Sequence, residues 1–264
     1  MYAALPHLDL GLALGGLLAG FVIGLTGMGG GALLTPLLVL FFHVAPLAAI
    51  SSDLVVSLAI KPVGAAVHAR RGTVRTDLVR FLALGSVPMA FAGAVILEAI
   101  GARHTRRPLE IMLGVALVIS ASAIGLKAVQ AGRHMSDGSV GRPSPVRRLP
   151  TVLIGVAGGL IVGLTSVGSG SLMLVLMMWA YPRLTTAELV GTDLAQAIPL
   201  VASAALGHLL FGQVQFALVG ALLIGALPGV WIGGQVSSRA PDHVVRPALA
   251  TVLVATGLKL LHVV

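Results

Sequence analysis

The chain has 264 residues, of which 57% are hydrophobic and only 10% are charged, and it contains no cysteine. A soluble domain carries roughly a quarter charged residues, so this composition excludes an ordinary water-soluble protein. The missing cysteines exclude disulfides and thiolate metal sites. The formal net charge of +8 does not indicate nucleic-acid binding, because the basic residues lie in loops between apolar runs, as in membrane proteins.

The apolar runs predict an all-α polytopic membrane protein with about eight helical elements of roughly 20 residues each. The first run has no acidic or basic side chain except His43 between Asp9 and Asp53. It is interrupted at residues 26–31, where the sequence is Thr-Gly-Met-Gly-Gly-Gly, and it resumes to Phe42. Further runs cover residues 46–69, a stretch ending near Ile100, and residues 108–129.

Residues 130–150 are rich in Gly, Ser, Pro and Arg, and this composition predicts a mobile polar linker on the membrane surface. The linker separates a first membrane repeat, residues 1–129, from a second, residues 151–264. The second half follows the same plan. A run from Thr151 breaks at residues 165–171, and further runs cover residues 185–211, 214–236 and 246–264.

The two halves also match residue by residue, which predicts two tandem repeats of about four helical elements. The first element of each repeat would be broken or re-entrant at its Gly-rich segment. If that element enters the membrane and returns as a hairpin, the basic loop residues are more strongly concentrated on one side of the membrane, as is usual for membrane proteins. The hairpin arrangement would make the two repeats inverted relative to each other. Internal duplication is common in secondary transporters, whose binding sites lie between the repeats. The matched residues are Gly24 with Gly163, Thr26 with Thr165, Gly29 with Gly168, Gly31 with Gly170, Ser52 with Thr192, Asp53 with Asp193, His68 with His208, and Pro88 with Pro228.

The two Gly-rich breaks are the first candidate for a binding site. Nonhelical backbone at membrane depth is tolerated where it is buried in protein or lines a wet cavity. A helix starting just after such a break directs its N–H groups and positive dipole end toward an anion. The alternative is that the small residues only allow close helix packing. The candidate substrate-binding residues here are Thr26, Gly27, Gly29, Gly30, Gly31, Thr165, Ser166, Gly168, Ser169 and Gly170.

Two acidic residues inside apolar runs, Asp53 and Asp193, are further candidates, together with the hydroxyl residues Ser52 and Thr192 that precede them. An ionisable group at membrane depth is costly and usually functional. Both aspartates could instead cap a helix N-terminus. For Asp193 a capping box at residues 185–188 would start the helix earlier and place the carboxylate inside it.

Three basic side chains complete the candidates. Lys61 lies in the middle of an apolar run and could neutralise a bound anion, pair with Asp53 or extend toward the interface. His68 and His208 lie near the ends of their helices, where an interfacial structural role is favoured. With the two aspartates they are also candidates for proton coupling.

The pair Gly-Leu-Thr-Gly-Met-Gly-Gly-Gly and Gly-Leu-Thr-Ser-Val-Gly-Ser-Gly resembles the hallmark of the TauE/SafE sulfite exporter family. The family's second-half pattern is similar to residues 191–194 (Gly-Thr-Asp-Leu), His208 and residues 212–214. Its first-half pattern is similar to residues 85–88 and Gly93. The resemblance covers nearly the whole chain. It implies a multi-pass carrier in the inner membrane that moves sulfur-containing anions such as sulfite or sulfonates, commonly outward.

A secondary transporter working by alternating access is therefore the leading hypothesis, with a small sulfur-containing anion and the lipid bilayer as partners and no cofactor or metal. A passive anion channel is one alternative. The other is a rhomboid-like serine hydrolase using Ser169 and His208, which the first half disfavours because Gly30 occupies the place of Ser169. We expect no enzymatic activity and no nucleic-acid partner, and the sequence leaves open whether the chain forms a homo-oligomer.

Overall fold

The computed structural model describes residues 10–26, 30–101, 106–134, 145–236, 251 and 254–261. The described residues contain helices and no strand, as the apolar runs predict, and residues 254–261 are helical too. In chain order the elements are α1 (Leu10–Thr26), a short 3₁₀ helix (Gly30–Ala32), α2 (Leu34–Leu40), α3 (Pro46–Arg70), α4 (Thr76–Gly101), α5 (Arg106–His134), α6 (Arg148–Thr165), α7 (Leu172–Ala180), α8 (Thr186–Phe211) and α9 (Phe216–Val236).

Five helices in the described segments are long and apolar enough to cross a membrane. Large apolar side chains on them are exposed, including Leu84, Leu153, Phe216 and Trp231. Exposed large apolar side chains on helices long enough to span a bilayer are expected where lipid surrounds them. The chain is therefore a multi-pass membrane protein. The five candidate spans are Pro46–Arg70, Thr76–Ala99, Arg148–Thr165, Ala187–Phe211 and Phe216–Gly233.

The predicted capping box at the start of α8 is confirmed. The Thr185 hydroxyl accepts from the Glu188 backbone N–H, and the Glu188 carboxylate accepts from the Thr185 N–H at 2.8 Å. This pair satisfies two of the backbone donors that a helix start leaves unpaired. Because α8 starts here, Asp193 lies two turns inside the helix and does not cap it. Asp53 is likewise seven residues inside α3, which begins at Pro46.

Two of the helices, α2 and α7, are too short to cross a membrane alone. They have 7 and 9 residues, and at a rise of about 1.5 Å per residue they span less than half of a hydrocarbon core about 30 Å thick. Each follows a longer helix and folds back beside it. The Tyr181 hydroxyl just after α7 accepts from the Arg147 N–H at 3.0 Å and bonds the Thr151 hydroxyl, at the start of α6. Likewise, a Cβ built on Gly15 of α1 would lie 3.2 Å from the Phe42 ring.

Four helices pair through stripes of glycine. The main pairings are α1 with α9 and α4 with α6, while α3 packs on α8. A Cβ on Gly20 would lie 2.4 Å from the Ala226 carbonyl oxygen, and one on Gly159 would lie 2.4 Å from the Ser86 carbonyl oxygen. No side chain fits these contacts, so glycine at every fourth position lets the backbones touch, as in membrane helix pairs generally. The α6 stripe is Gly155, Gly159 and Gly163, and the α9 stripe is Gly225, Gly229 and Gly233.

Helix extends into both sides of the expected linker. We expected residues 130–150 to be irregular, but α5 continues through His134 and α6 begins at Arg148. Adding a residue to an existing helix is cheap compared with starting one. Pro150 falls in the first turn of α6, where proline is tolerated. Residues 135–144 lie outside the described residues.

Candidate functional site

The two Gly-rich breaks meet inside the protein. A Cβ built on Gly31 would lie only 1.7 Å from the carbonyl oxygen of Ser166. Ser166 ends α6 in the left-handed conformation with φ of 58°, and Gly168 and Gly170 also have positive φ, 114° and 99°. Glycine adopts such angles without steric cost. The backbone therefore turns sharply at the second break and touches the first, although the two segments lie 135 positions apart.

The structure describes only some of the residues that were predicted as ligands in the first break. Gly27 and Gly29 lie outside the described residues. Thr26 is the last residue of α1 and Gly30 the first of the 3₁₀ helix. Their role as ligands therefore remains a prediction.

The carboxylate of Asp53 links the two breaks. Asp53 is fully buried, and its Oδ2 accepts hydrogen bonds from the hydroxyls of Thr35 at 2.8 Å and Ser166 at 2.7 Å. Its Oδ1 has a longer contact with the Ser57 hydroxyl, 3.4 Å. Thr35 lies in α2, just after the first break, and Ser166 begins the second. One carboxylate thus holds together parts of both halves of the chain.

The ammonium group of Lys61 lies at the second break. Lys61 is 4% exposed, and its Nζ donates to the Ser169 hydroxyl at 2.6 Å. Asp53 lies two turns earlier on α3, and Asp193 lies on α8, which packs against α3 near Lys61, since a Cβ built on Gly64 would lie 3.6 Å from Leu194. Asp193 on α8 is itself 1% exposed. A buried charge is costly unless it is paired and hydrogen-bonded, so this group of Asp53, Lys61, Ser166, Ser169 and Asp193 forms one electrostatic unit, which we call the polar cluster.

The amides that begin α7 converge on one acceptor. The backbone N–H groups of Ser171, Leu172 and Met173 all approach the Gly168 carbonyl oxygen, at 3.4, 3.1 and 3.3 Å. We expected free N–H groups at this helix start, and the structure instead shows three donors sharing one oxygen, with long bonds from Ser171 and Met173. Such bonds are weak, so an oxyanion at this point would compete for the donors with a single carbonyl.

Ser52 and Thr192 tie loops to helices. The Ser52 hydroxyl on α3 accepts from the Gln215 N–H between α8 and α9, at 3.1 Å. The Thr192 hydroxyl on α8 accepts from the Arg75 N–H between α3 and α4, also at 3.1 Å. Ser52 matches Thr192, and Arg75 matches Gln215, at the same spacing of 140 positions. In each bond a helix residue of one half therefore accepts from a loop residue of the other half. Both hydroxyls are thus engaged by backbone, and the same holds for Thr165, whose Oγ1 donates to the Ile161 carbonyl at 2.7 Å.

The two histidines have different environments. His208 is fully buried, its Nδ1 bonds the Ser51 hydroxyl at 2.9 Å, and its Nε2 bonds the Gly163 carbonyl at 2.9 Å. Because a carbonyl only accepts, Nε2 carries the proton. His208 thereby satisfies one of the carbonyls that the end of α6 leaves unpaired. His68 is half-buried at the end of α3 and bonds the Thr73 hydroxyl at 3.0 Å; the structure does not bring it into the polar cluster.

The serine–histidine dyad of the disfavoured hydrolase alternative is not formed. Ser169 bonds Lys61, and both ring nitrogens of His208 are engaged elsewhere. In the described part of the chain no group of three or more His, Asp or Glu residues could hold a metal ion.

Three polar residues near the cluster, Thr35, Ser57 and Gln196, escaped the sequence analysis. Thr35 and Ser57 bond Asp53, and spacing could have found Ser57, since it lies four residues after Asp53 on one helix face. Gln196 lies three residues after Asp193; its Oε1 accepts from the Ser86 hydroxyl at 3.1 Å. The Nε2 of Gln196 is buried without a hydrogen-bond partner among the described residues, and the Ser171 Oγ is in the same state. Buried polar atoms of this kind usually find a ligand or water.

Comparisons with known proteins agree on a family of membrane transporters. The family described as "Sulfite exporter TauE/SafE" matches residues 12–260. The chain is 36% identical over 256 residues to the "Probable membrane transporter protein YjnA" of Bacillus subtilis (strain 168), covering 96% of this chain and 100% of that protein. It is 24% identical over 244 residues to the "Probable membrane transporter protein YdhB" of the same organism, covering 92% and 96%. No solved structure matches the chain.

Proposed function

This chain belongs to the TauE/SafE sulfite exporter family of membrane transporters, and we propose that it is a secondary transporter of small sulfur-containing anions such as sulfite or sulfonates. It works by alternating access in the bacterial inner membrane. Export is the direction that the family description suggests. The bound anion lies at the polar cluster, between the two Gly-rich breaks.

The observation that carries this proposal is the buried ammonium of Lys61 beside Ser169. A cation at membrane depth is rare and marks an ion or substrate pathway. Lys61 has no basic counterpart in the other half, where Val201 holds the matched position. Lys61 is therefore the one basic residue of the polar cluster and the group that would face the anion's charge. The unpartnered Ser171 hydroxyl and Gln196 amide are suitable donors for its oxygens.

We further propose that the two halves are inverted repeats whose first elements are re-entrant hairpins. The positions of Tyr181 beside Arg147 and of Phe42 beside Gly15 support a chain that enters and returns to the same side. A hairpin followed by three crossings reverses the direction of the second half. The reciprocal Ser52–Gln215 and Thr192–Arg75 bonds and the equivalent α1–α9 and α4–α6 pairings support the same symmetry.

The transport proposal is tested in proteoliposomes that contain the purified chain. Uptake of labelled sulfite and methanesulfonate is compared for the wild type, Lys61→Met and the matched control Lys259→Met, whose ammonium is exposed. Hydrogen bonds to charged groups contribute about 1.5–3 kcal/mol, so Lys61→Met should raise the KM for the anion roughly 10- to 100-fold. The control should behave as the wild type.

Two outcomes would contradict the proposal. If no small anion is taken up above the rate of empty vesicles, the transport function is wrong. If flux proceeds only down the anion's own gradient and does not saturate, the passive channel is the better description. Release of sulfite from preloaded cells that overproduce the chain, compared with cells that lack it, tests the outward direction.

A further inference from the structure

The polar cluster holds an excess of buried negative charge. Asp53, Asp193 and Lys61 are 0%, 1% and 4% exposed. With all three ionised, the cluster has two negative charges and one positive charge. The net charge of an empty cluster is therefore −1, before any anion has entered.

Other titratable groups on the numbered helices do not change this count, and Arg75, whose N–H bonds Thr192, has its guanidinium paired with Asp77. The sequences of α1, the 3₁₀ helix, α2, α7 and α9 contain none, and α6 has only Arg148, its first residue. On α8, besides Asp193, there are His208, with both ring nitrogens hydrogen-bonded, and Glu188 in the first turn. The remaining charges of α3, α4 and α5 lie toward the helix ends: His68 and Arg70 on α3, Asp77, Arg80 and Glu98 on α4, and Arg106, Arg107, Glu110, Lys127, Arg133 and His134 on α5.

A bound anion would bring the cluster to −2 unless one carboxylate became neutral. Like charges buried side by side strongly oppose joint ionisation, and one of them takes up a proton instead. Anion binding at this place therefore requires a proton on Asp53 or Asp193. The structure distinguishes Asp53 by the unequal hydrogen bonding of its two carboxylate oxygens.

The hydrogen bonds of Asp53 leave one oxygen suited to a proton. Its Oδ2 already accepts two short bonds, from Thr35 and Ser166. Its Oδ1 has only the 3.4 Å contact with the Ser57 hydroxyl. A hydroxyl can accept as well as donate, so a proton on Oδ1 can be donated to Ser57 while both bonds to Oδ2 remain.

We propose that Asp53 binds the coupling proton on Oδ1 and that the chain carries one proton together with each monovalent anion. This inference rests on the proposed transport function and deepens it. The proton enters from the same side as the anion, converts the carboxylate to a carboxylic acid and leaves with the anion on the other side. The empty site and the loaded site then have the same net charge, −1, so transport is electrically neutral.

This coupling has a consequence for the driving force. An electroneutral carrier responds to the gradients of the anion and of pH and is insensitive to membrane potential. A difference of one pH unit, acid outside, would accumulate the anion inside by up to about tenfold. Export in company with a proton occurs when the internal excess of the anion is larger than the opposing pH gradient. Sodium is a poorer occupant of the site, because Asp53 Oδ2 is already saturated by two hydroxyl donors.

The test uses the whole chain in proteoliposomes with labelled methanesulfonate, a permanent monoanion, and with sulfite. A pH dye inside the vesicles measures proton entry. For the wild type we expect one proton per methanesulfonate, about tenfold accumulation per pH unit, and less than a twofold response to a potassium diffusion potential. Replacing sodium with choline should leave the flux unchanged.

The variant Asp53→Asn imitates the protonated acid, because its amide can donate to Ser57 and its oxygen can accept from Thr35 and Ser166. It should lose accumulation driven by pH, and the anion flux that remains should become sensitive to membrane potential. The control Glu110→Gln removes a carboxylate near the start of α5 and should keep full coupling.

The outcomes separate this inference from the function on which it rests. Anion flux without proton entry in the wild type, flux that requires sodium, or intact coupling in Asp53→Asn would overturn the proton site while transport stands. The absence of any anion flux would overturn transport itself. The wild-type ratio of protons to anions needs no variant, so the inference is decided even if Asp53→Asn fails to fold.

Discussion

Replacing Gly31 with alanine tests whether contact between the two Gly-rich breaks holds the site together. The added methyl carbon would start 1.7 Å from the Ser166 carbonyl oxygen, whereas real Cβ atoms essentially never come within 3.0 Å of a neighbouring heavy atom. The two backbones must therefore separate by more than about 1 Å to reach ordinary contact. The Ser166 hydroxyl bonds Asp53 at 2.7 Å, and a shift of that size would break the bond.

The expected cost has two parts. Overpacking a tight contact costs about 1–3 kcal/mol, and losing a hydrogen bond to a carboxylate costs about 1.5–3 kcal/mol. Because partial relaxation lessens both, we expect Gly31→Ala to lower the free energy of unfolding by about 2–4 kcal/mol, or the apparent melting temperature by roughly 5–15 °C. Anion transport should fall at least tenfold in the protein that remains folded.

Thermal unfolding in detergent and uptake by proteoliposomes measure the two effects. The matched control is Gly220→Ala in α9, where an added Cβ would have no heavy atom within 4 Å. Alanine is favoured over glycine inside a helix by roughly 0.5–1 kcal/mol, so the control should be as stable as the wild type or slightly more so. Equal stability and equal transport of Gly31→Ala and Gly220→Ala would refute the contact and the reasoning built on it.

Three further changes test the packing around the site. His208→Ala leaves a buried hydroxyl and a buried carbonyl unpaired and should cost about 2–4 kcal/mol in chemical unfolding, whereas half-buried His68→Ala should cost clearly less; equal losses would contradict the assigned roles. Thr185→Ala removes the capping box and should cost about 1 kcal/mol, with faster amide exchange confined to the first turn of α8. Gly159→Ala should weaken the α4–α6 pair by about 1–3 kcal/mol, while Gly64→Ala, whose Cβ would lie 3.6 Å from its nearest neighbour, should be tolerated; the reverse order would show that α4 and α6 do not touch there.

Much of the secondary structure could be predicted from local composition. The apolar runs ending near residues 211 and 236 correspond to α8 and α9, and the spacing of Thr185 and Glu188 predicted the start of α8. These features depend only on neighbours in sequence. The predicted end of α5 was wrong by several residues. Residues 130–134 are polar, like a linker, but they extend an existing helix at little cost.

The site could be predicted only in part, because its bonds join distant segments. Asp53 was ambiguous between a capping residue and a buried carboxylate until α3 was found to begin at Pro46. For Lys61 the sequence left three possibilities open: neutralising a bound anion, pairing with Asp53 or reaching the interface. The Lys61 ammonium donates to Ser169, 108 positions away, and no local pattern indicates that partner.

The glycine stripes of α6 and α9 were visible in the sequence but not interpreted as helix interfaces. Their four-residue spacing indicates a face that can approach another helix closely. It does not identify that helix. The pairing of α6 with α4 and of α9 with α1 depends on how all the helices fit together.

The sequence by itself determined that this chain lies in a membrane, that its elements are helices and that it belongs with the TauE/SafE proteins, because hydrophobicity, helix signals and motifs are properties of contiguous residues. Only the tertiary structure decided that the two breaks touch, that Asp53 bonds hydroxyls from both halves and that Lys61 lies beside Ser169. Those contacts arise when helices far apart in sequence pack together, and their energies depend on distances of a few ångströms that no one-dimensional pattern contains.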